Sequence, residues 1–184
     1  MPRTYLTQIV GLRAHFGSSR RRTFSWAWND RPGVNIRLTR LFNMTWNTAT
    51  GLYEYSNSNF FPINNDGFGN YGSTGKNFHF CLEYHTQFQF RGTETFSFTG
   101  DDDVYFFVNN RLFVDLGGVH GAQDASRSLS SASVQQQFGL VVGGVYNFDF
   151  FFCERHTSAS NLRMATNILL NDCLYLDRCG FCTA

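Results

Sequence analysis

Charged residues are scarce in this chain of 184 residues, where Asp, Glu, Lys and Arg make up 16%, against about 25% in an average soluble domain. The chain is not rich in Ala, Glu, Lys and Leu, which excludes a coiled coil or a protein of long helices. No apolar run approaches the roughly 18 residues of a membrane-spanning helix. Ser-His-Asp spacing, a phosphate-binding loop and an HExxH motif are missing from the sequence, so an enzyme is not favoured.

Aromatic residues are abundant instead, with 21 Phe, 8 Tyr and 3 Trp that together make up 17% of the chain. A disordered chain does not carry so many large apolar rings, because they would collapse together. The 17 Gly residues, with many Asn, Ser and Thr, favour strands and turns. The length predicts one domain with a substantial core.

The net charge of +1 hides an uneven distribution. Residues 1–50 hold eight Arg and one acid, Asp30, whereas residues 51–184 hold seven basic and thirteen acidic residues. The run from Ser19 to Arg22 is the most basic point, and we interpret residues 1–23 as a basic N-terminal arm. Such an arm could reach nucleic acid, an acidic surface or the acidic half of the protein, or be a solvated loop. Because no aromatic residues interrupt the arginines, nucleic acid is not favoured as a partner.

Five cysteines stand at positions 81, 153, 173, 179 and 182. The last three form Cys173-x5-Cys179-x2-Cys182, which lacks the second close pair that a zinc site requires. A partial disulfide module over residues 171–184 fits this spacing better. Cys81 and Cys153 lie in strand-like segments and could pair or remain buried thiols, and the sequence slightly favours the thiols.

Period-two alternation predicts several strands. Apolar residues alternate with polar ones from Phe78 to Tyr84 and continue to Phe90, and another strand begins at Phe96. The segments 104–108 and 111–115 flank Asn109-Asn110, which predicts a hairpin with a two-residue turn because Asn tolerates positive φ.

The other segments are less regular. We expect irregular structure over residues 1–50, a long loop over 56–77 and a connection over 121–135 that could hold a short strand. A further hairpin is predicted from 138–142 and 145–153 across Gly143-Gly144, with a last strand over 162–169. Strands without intervening helices predict an all-β fold, an antiparallel β-sandwich.

Three adjacent carboxylates, Asp101, Asp102 and Asp103, stand between two predicted strands. The negative charges of such a cluster repel one another, and the repulsion grows as the carboxylates are removed from water. It should therefore lie in an exposed turn or surround a cation. Calcium suits such hard oxygen ligands, provided that carbonyls and an amide from another loop complete its shell.

Several ordered segments between about residues 24 and 170 carry a resemblance to a known family: 32–35, 60–63, 67–70, 77–80, 98–104, 114–121 and 146–158. They resemble the fibro-slime domain family, within the β-sandwich superfamily named after a domain of anthrax protective antigen. The tail over 176–182 is similar to Cys-rich repeats that follow this domain in secreted proteins.

The resemblance implies a calcium site. In the adhesin branch of the superfamily, two successive Asp joined by a cis peptide chelate calcium, which then binds vicinal hydroxyls of a sugar. Asp101 and Asp102 match that pair, and Asp103 stands where many relatives have Gly. The other ligands come from a loop that corresponds to residues 154–161, where Asn161 is the expected amide ligand. This loop lacks the insertions that shape sugar pockets in yeast adhesins. The resemblance therefore implies metal binding by this chain more strongly than sugar binding.

Three further residues are candidates for contact with a ligand together with the Asp cluster. His120 and His156 could face the metal loop and hydrogen-bond a ligand, although neutral imidazole is a poor calcium ligand. Arg155 is expected to pair with Glu154, Asp115 or the Asp cluster, and alternatively to contact a ligand.

These observations favour a calcium-dependent, non-catalytic recognition module that binds a glycan or glycoprotein, outside the cell or on its surface. The alternative is a structural component of a virion or matrix, whose residues 1–30 and 171–184 contact neighbouring subunits. An N-terminus too polar for a signal peptide motivates this alternative, unless a signal has been removed. A glycosidase is least favoured, since adjacent acids on one tight turn cannot easily flank a scissile bond.

Overall fold

The computed structural model describes residues 31–118 and 120–171 in full, and the backbone alone of residues 3–12, 175–176 and 182–183. Nearly every regular element within them is a β-strand, which confirms the expected all-β fold. The elements are β1 (Arg3–Leu12), β2 (Asn35–Asn47), β3 (Leu52–Asn57), β4 (Phe80–Gln89), β5 (Thr95–Gly100), β6 (Asp103–Val108), β7 (Arg111–Leu116), β8 (Gln123–Ser128), α1 (Ala132–Phe138), β9 (Val145–Glu154), β10 (Leu162–Thr166), β11 (Tyr175–Leu176) and β12 (Cys182–Thr183).

Ten of these strands form one sheet in the order β7-β6-β9-β4-β1-β2-β3-β10-β5-β8, and all its pairings are antiparallel. The long strand β2 joins the two halves, because it pairs with β1 over residues 35–44 and with β3 over residues 45–47. The halves then pack face to face. The ring of Phe96 in β5 lies 4.4 Å from Phe106 in β6, and Phe98 lies 5.9 Å from Phe150 in β9. The sheet is therefore a β-sandwich.

Phenylalanine rings fill the space between the two layers. Phe148, Phe150 and Phe152 alternate along β9 and are at most 1% exposed, as are Phe96 and Phe98 in the facing layer. Each fully buried ring contributes about 1.5–3 kcal/mol relative to an exposed one. The surplus of aromatic residues in the sequence is thus the core of the sandwich.

The hairpin of β6 and β7 is confirmed. Asn109 and Asn110 have φ angles of 50° and 60°, the left-handed conformation that a type I′ turn requires at both central positions. The connection over 121–135 holds the short strand β8, and the segment from 58 to 79 contains no strand.

The expectation of irregular structure over residues 1–50 is wrong for β1 and β2. Strand β1 pairs with β2 on one side, from Arg3↔Met44 to Leu12↔Asn35, and with β4 on the other side. Backbone hydrogen bonds to two neighbours stabilise such a strand without a regular apolar alternation. The expected boundary at residue 23 lies outside the described residues.

The strand predicted over 138–142 is also wrong. Phe138 is the last residue of helix α1, and residues 139–142 form the irregular connection that follows it. The Ser131 side chain caps this helix by accepting a hydrogen bond from the Val134 N–H at 3.3 Å. Gly139, with a φ of 65°, ends it in the left-handed conformation. No helix within the described residues is long and apolar enough to cross a membrane.

Cys81 of β4 and Cys153 of β9 form a disulfide, which corrects the preference for free thiols. The two residues are directly opposite in the β4–β9 ladder, so strand pairing brings them together. The predicted disulfide module of Cys173, Cys179 and Cys182 falls on side chains outside the described residues.

Candidate functional site

The Asp cluster lies at the end of the sandwich where β5 stops and β6 begins. Gly100, the last residue of β5, pairs with Leu162 at the start of β10. Asp103, the first residue of β6, pairs with Cys153 near the end of β9. The turn at 100–103 therefore meets the β9–β10 loop over 155–161, and this juxtaposition forms the candidate site.

The three carboxylates are buried, since Asp101, Asp102 and Asp103 are 7%, 0% and 9% exposed. The alternative of an exposed, solvated turn is thus wrong. Burial makes charge on three neighbouring carboxylates costly unless hydrogen bonds and opposite charges compensate it.

The backbone of this turn differs from the expectation of a cis peptide. None of the described peptide bonds is cis, and Asp102 instead adopts a φ of 52°. Asp is one of the few residues that tolerate this left-handed conformation. Gly100 allows the loops to approach each other, because a Cβ there would lie 2.6 Å from the Asn161 carbonyl oxygen.

Asp101 and Asn161 are in direct contact although 60 residues separate them in the sequence. The Asn161 side-chain amide donates to both oxygens of Asp101, at 2.9 and 2.7 Å. The two residues that the resemblance assigned to one metal site thus lie together.

Backbone N–H groups and one guanidinium hold the other two carboxylates. Asp102 accepts hydrogen bonds from the backbone N–H of His120 at 3.3 Å and of Arg155 at 2.7 Å. The Arg155 Nε lies 2.5 Å from Asp103 Oδ2, and the Gly118 N–H donates to Asp103 Oδ1 at 2.7 Å. Of the partners expected for Arg155, the structure shows the Asp cluster.

The two candidate histidines differ in environment. The half-buried ring of His120 contacts the Gly121 and Leu116 carbonyl oxygens, at 2.8 and 3.1 Å. It therefore orders the loop beside the Asp cluster. His156 is exposed and contacts the Ser158 hydroxyl at 2.8 Å, so its ring is the more accessible of the two.

Glu154 is a member of the site that the sequence reasoning did not select. It is fully buried, and one of its oxygens accepts a hydrogen bond from the His156 N–H at 2.9 Å. Its other oxygen, Oε2, lies near the buried Ser160 hydroxyl without a well-formed hydrogen bond to any described residue. Strand alternation contained the signal, because Glu154 continues the inward-facing series of Phe150 and Phe152.

Among the described residues, carboxyl groups outnumber positively charged groups at this site. Burial, with the neighbouring charges of Asp102 and Asp101, raises the pKa of Glu154 to about 9. Burial also raises the pKa of Asp101, and the charge of Asp102 acts in the same direction, against the Asn161 hydrogen bond and the charge of His120. Among the described residues, the Arg155 guanidinium lies at the cluster and is engaged by Asp103.

The donor groups of this site decide whether it could hold a cation. In the part of the chain that the structure describes, no three His, Cys, Asp or Glu side chains are grouped closely enough to hold a metal ion. The donors at the Asp101–Asn161 contact are carboxylate and amide groups, the hard oxygen ligands that calcium prefers. The residues fit such a cation if carbonyl oxygens or water complete its shell.

Comparison with known families supports the superfamily expected from the sequence. Residues 44–172 match the model of the PA14 domain, which is more than half of the chain. The chain belongs to the PA14 domain family. The narrower resemblance to fibro-slime domains stays a prediction.

Similar proteins come from Dictyostelium discoideum. Protein psiP is 41% identical over 175 residues, which cover 83% of this chain and 22% of that protein. Protein psiB is 43% identical over 159 residues, covering 82% of this chain and 28% of psiB. Protein psiE is 41% identical over 160 residues, covering 82% and 31%. The PA14 chain thus spans less than a third of each of these relatives.

Solved structures give more distant matches. A PA14 sugar-binding domain from an RTX adhesin has a TM-score of 0.37 and 15% identity, and the match covers 54% of each chain. A β-glucosidase from Kluyveromyces marxianus in complex with glucose has a TM-score of 0.40 and 11% identity, over 90% of this chain and 15% of that one.

Proposed function

We propose that this PA14 domain is a non-catalytic, calcium-dependent module that binds glycans or glycoproteins and acts in adhesion, outside the cell or on its surface. The observation that supports it best is the Asp101–Asn161 contact beside the buried carboxylate of Asp102. Three oxygen-bearing groups from two loops meet there, and their negative charge, together with that of Asp103, exceeds the single positive charge of the Arg155 guanidinium. A divalent cation would offset that charge.

Asp101, Asp102 and the amide oxygen of Asn161 would hold the calcium ion. For this purpose the Asn161 amide would turn its oxygen, in place of its NH2 group, toward the cation. Calcium would supply open coordination positions for two neighbouring hydroxyl groups of a sugar. Asp103 is less suited as a ligand, because the Arg155 guanidinium already balances its charge, whereas Asp102 accepts hydrogen bonds from neutral backbone N–H groups.

The remaining candidates would orient the site or contact the ligand. His120 and Arg155 fix the Asp102 carboxylate through their backbone N–H groups. His156, on the exposed β9–β10 loop, is the residue best placed to contact a glycan at the rim. The PA14 domain of the RTX adhesin is a sugar-binding domain, and we propose the same class of ligand for this chain.

An enzymatic role has little support. Glycosidases place two carboxyl groups on opposite sides of the scissile bond, about 5–9.5 Å apart. Here three acids share one buried turn, and Asp103 is engaged in an ion pair. A structural role in a matrix stays an alternative, whereas the relatives belong to a cellular organism and so give no support to a virion.

Calorimetric titration of the purified chain with CaCl2 tests the proposal. We expect saturable binding that Asp101→Asn and Asn161→Ala weaken at least tenfold. The matched control is Asp124→Asn, because Asp124 is an exposed carboxylate on β8. A glycan array probed with and without EDTA then tests the ligand class. The absence of saturable heat at millimolar calcium, or glycan binding that EDTA leaves unchanged, would contradict calcium dependence.

A further inference from the structure

The sandwich exposes an apolar tip at the end opposite the Asp cluster. Val141, Val142 and Val145 are 70%, 63% and 56% exposed. Strand β9 runs from Val145 to Glu154, so the tip lies about 30 Å from the candidate calcium site at ~3.3 Å per residue. Exposed apolar side chains that lie together mark a contact surface more often than isolated ones do.

Backbone hydrogen bonds hold this tip in one shape. The Gly143 N–H donates to the Phe90 carbonyl and the Phe90 N–H to the Gly144 carbonyl, both at 2.8 Å. The Val141 N–H donates to the Tyr146 hydroxyl at 2.8 Å. Gly143, with a φ of 89°, supplies the sharp turn between the valines. The valines are therefore presented by a structured loop.

Two exposed arginines lie near the tip. Val142 packs beside Gly92 in the β4–β5 turn, and Arg91 next to it is exposed. Arg111, also exposed, donates to the Gln137 carbonyl just before the tip. Glu94 in the same turn is fully buried, and Arg91 and three backbone N–H groups hold its carboxylate. Among the described residues, Arg91, paired with Glu94, and Arg111 thus place exposed positive groups beside the tip.

We propose that the tip of Val141, Val142 and Val145 inserts into an anionic lipid surface, with Arg91 and Arg111 at the level of the headgroups. A narrow loop suits the interface of a bilayer, where apolar side chains reach the acyl boundary and arginines contact anionic headgroups. A partner protein would have to offer a pocket for the valines. The tip and the Asp cluster lie at opposite ends, so a bound membrane would leave the glycan site open.

Co-sedimentation of the full chain with lipid vesicles tests this inference, without calcium so that the candidate site plays no part. We expect binding to vesicles of phosphatidylcholine with about 30% phosphatidylserine and much weaker binding to pure phosphatidylcholine. Val141→Ser/Val142→Ser should reduce the affinity about tenfold or more, because it removes most of the inserted apolar area. Arg111→Ala should reduce it about fivefold.

The matched control is Leu41→Ser, which removes an apolar side chain that is 64% exposed on β2. It should leave vesicle binding unchanged, and the circular dichroism of every variant should match that of the unchanged chain. Absence of binding, or binding that the double serine variant retains, would overturn the proposal. So would self-association in light scattering without lipid that the double serine variant abolishes, because the tip would then join copies of the chain.

Discussion

Replacing Cys81 and Cys153 together with alanine should destabilise the domain by several kilocalories per mole. The disulfide links β4 to β9 across a sequence separation of 72 residues. The cross-link closes a loop of that length in the unfolded chain and so lowers its conformational entropy. By the chain-entropy relation, losing this restriction lowers the free energy of unfolding by about 4 kcal/mol. Because domains of this size are stable by only about 5–15 kcal/mol, the loss would be a large fraction of the total.

Guanidinium chloride unfolding, followed by tryptophan fluorescence, measures this difference. The double variant is a cleaner perturbation than a reductant, because the chain has three further cysteines. We expect the midpoint to fall and the m-value to rise, since the unfolded chain without the cross-link exposes more surface. A loss below about 1 kcal/mol with an unchanged m-value would refute the reasoning, because the unfolded chain would then be as restricted without the cross-link as with it.

Three further predictions concern the charged groups and the site. The calcium-free domain should lose stability as pH rises from about 4.5 to 9, because buried Glu154, with a pKa of about 9, keeps a proton that the unfolded chain has released. Thermal unfolding across this range tests the prediction, and Glu154→Gln should make stability less dependent on pH. Stability that rises with pH would contradict it. His85 should also lower stability as pH rises from about 6.5 to 9. Burial lowers its pKa, but hydrogen bonds to Asp149 and Glu83 outweigh that effect and raise the pKa to about 9. His85→Gln should remove this part of the pH dependence, and an NMR titration that finds the folded pKa near 6.5 would exclude the prediction. Gly100→Ala should weaken calcium binding at least tenfold by displacing the Asn161 carbonyl, while calorimetry that finds unchanged affinity would show that the loops can give way.

Local patterns in the sequence were enough to predict the hairpin of β6 and β7 and much of β4 and β9. In those strands, alternating phenylalanines and the Asn109-Asn110 turn leave few alternatives. Strand β1 could not be predicted in this way, because its stability comes from pairing with residues as distant as Glu83, the partner of Gln8. Helix α1 depends on capping by Ser131 and Gly139. In the sequence, these capping residues are a weaker signal than the apolar residues that follow the helix, which predicted a strand.

The candidate site shows a similar division. The resemblance to known adhesin domains predicted that Asp101 and Asn161 meet, and the structure places them in contact. The burial of the turn and the left-handed conformation of Asp102 could not be predicted, because both depend on loops distant in sequence that cover the turn. Glu154 was overlooked since its charge suggested a solvent-exposed loop, although its position in β9 is inward-facing.

The central place of β1 has a consequence for how the domain is made. Four strands of the ten-stranded order lie on one side of β1 and five on the other, although β1 precedes the other nine in the sequence. Its partner β4 (Phe80–Gln89) follows about 70 residues later, so β1 cannot complete its pairing until about half of the chain has been made. Contacts of such large sequence separation are slow to form. Cutting the chain after residue 23 would remove the strand between β4 and β2 and leave two exposed edges where the native sheet is continuous.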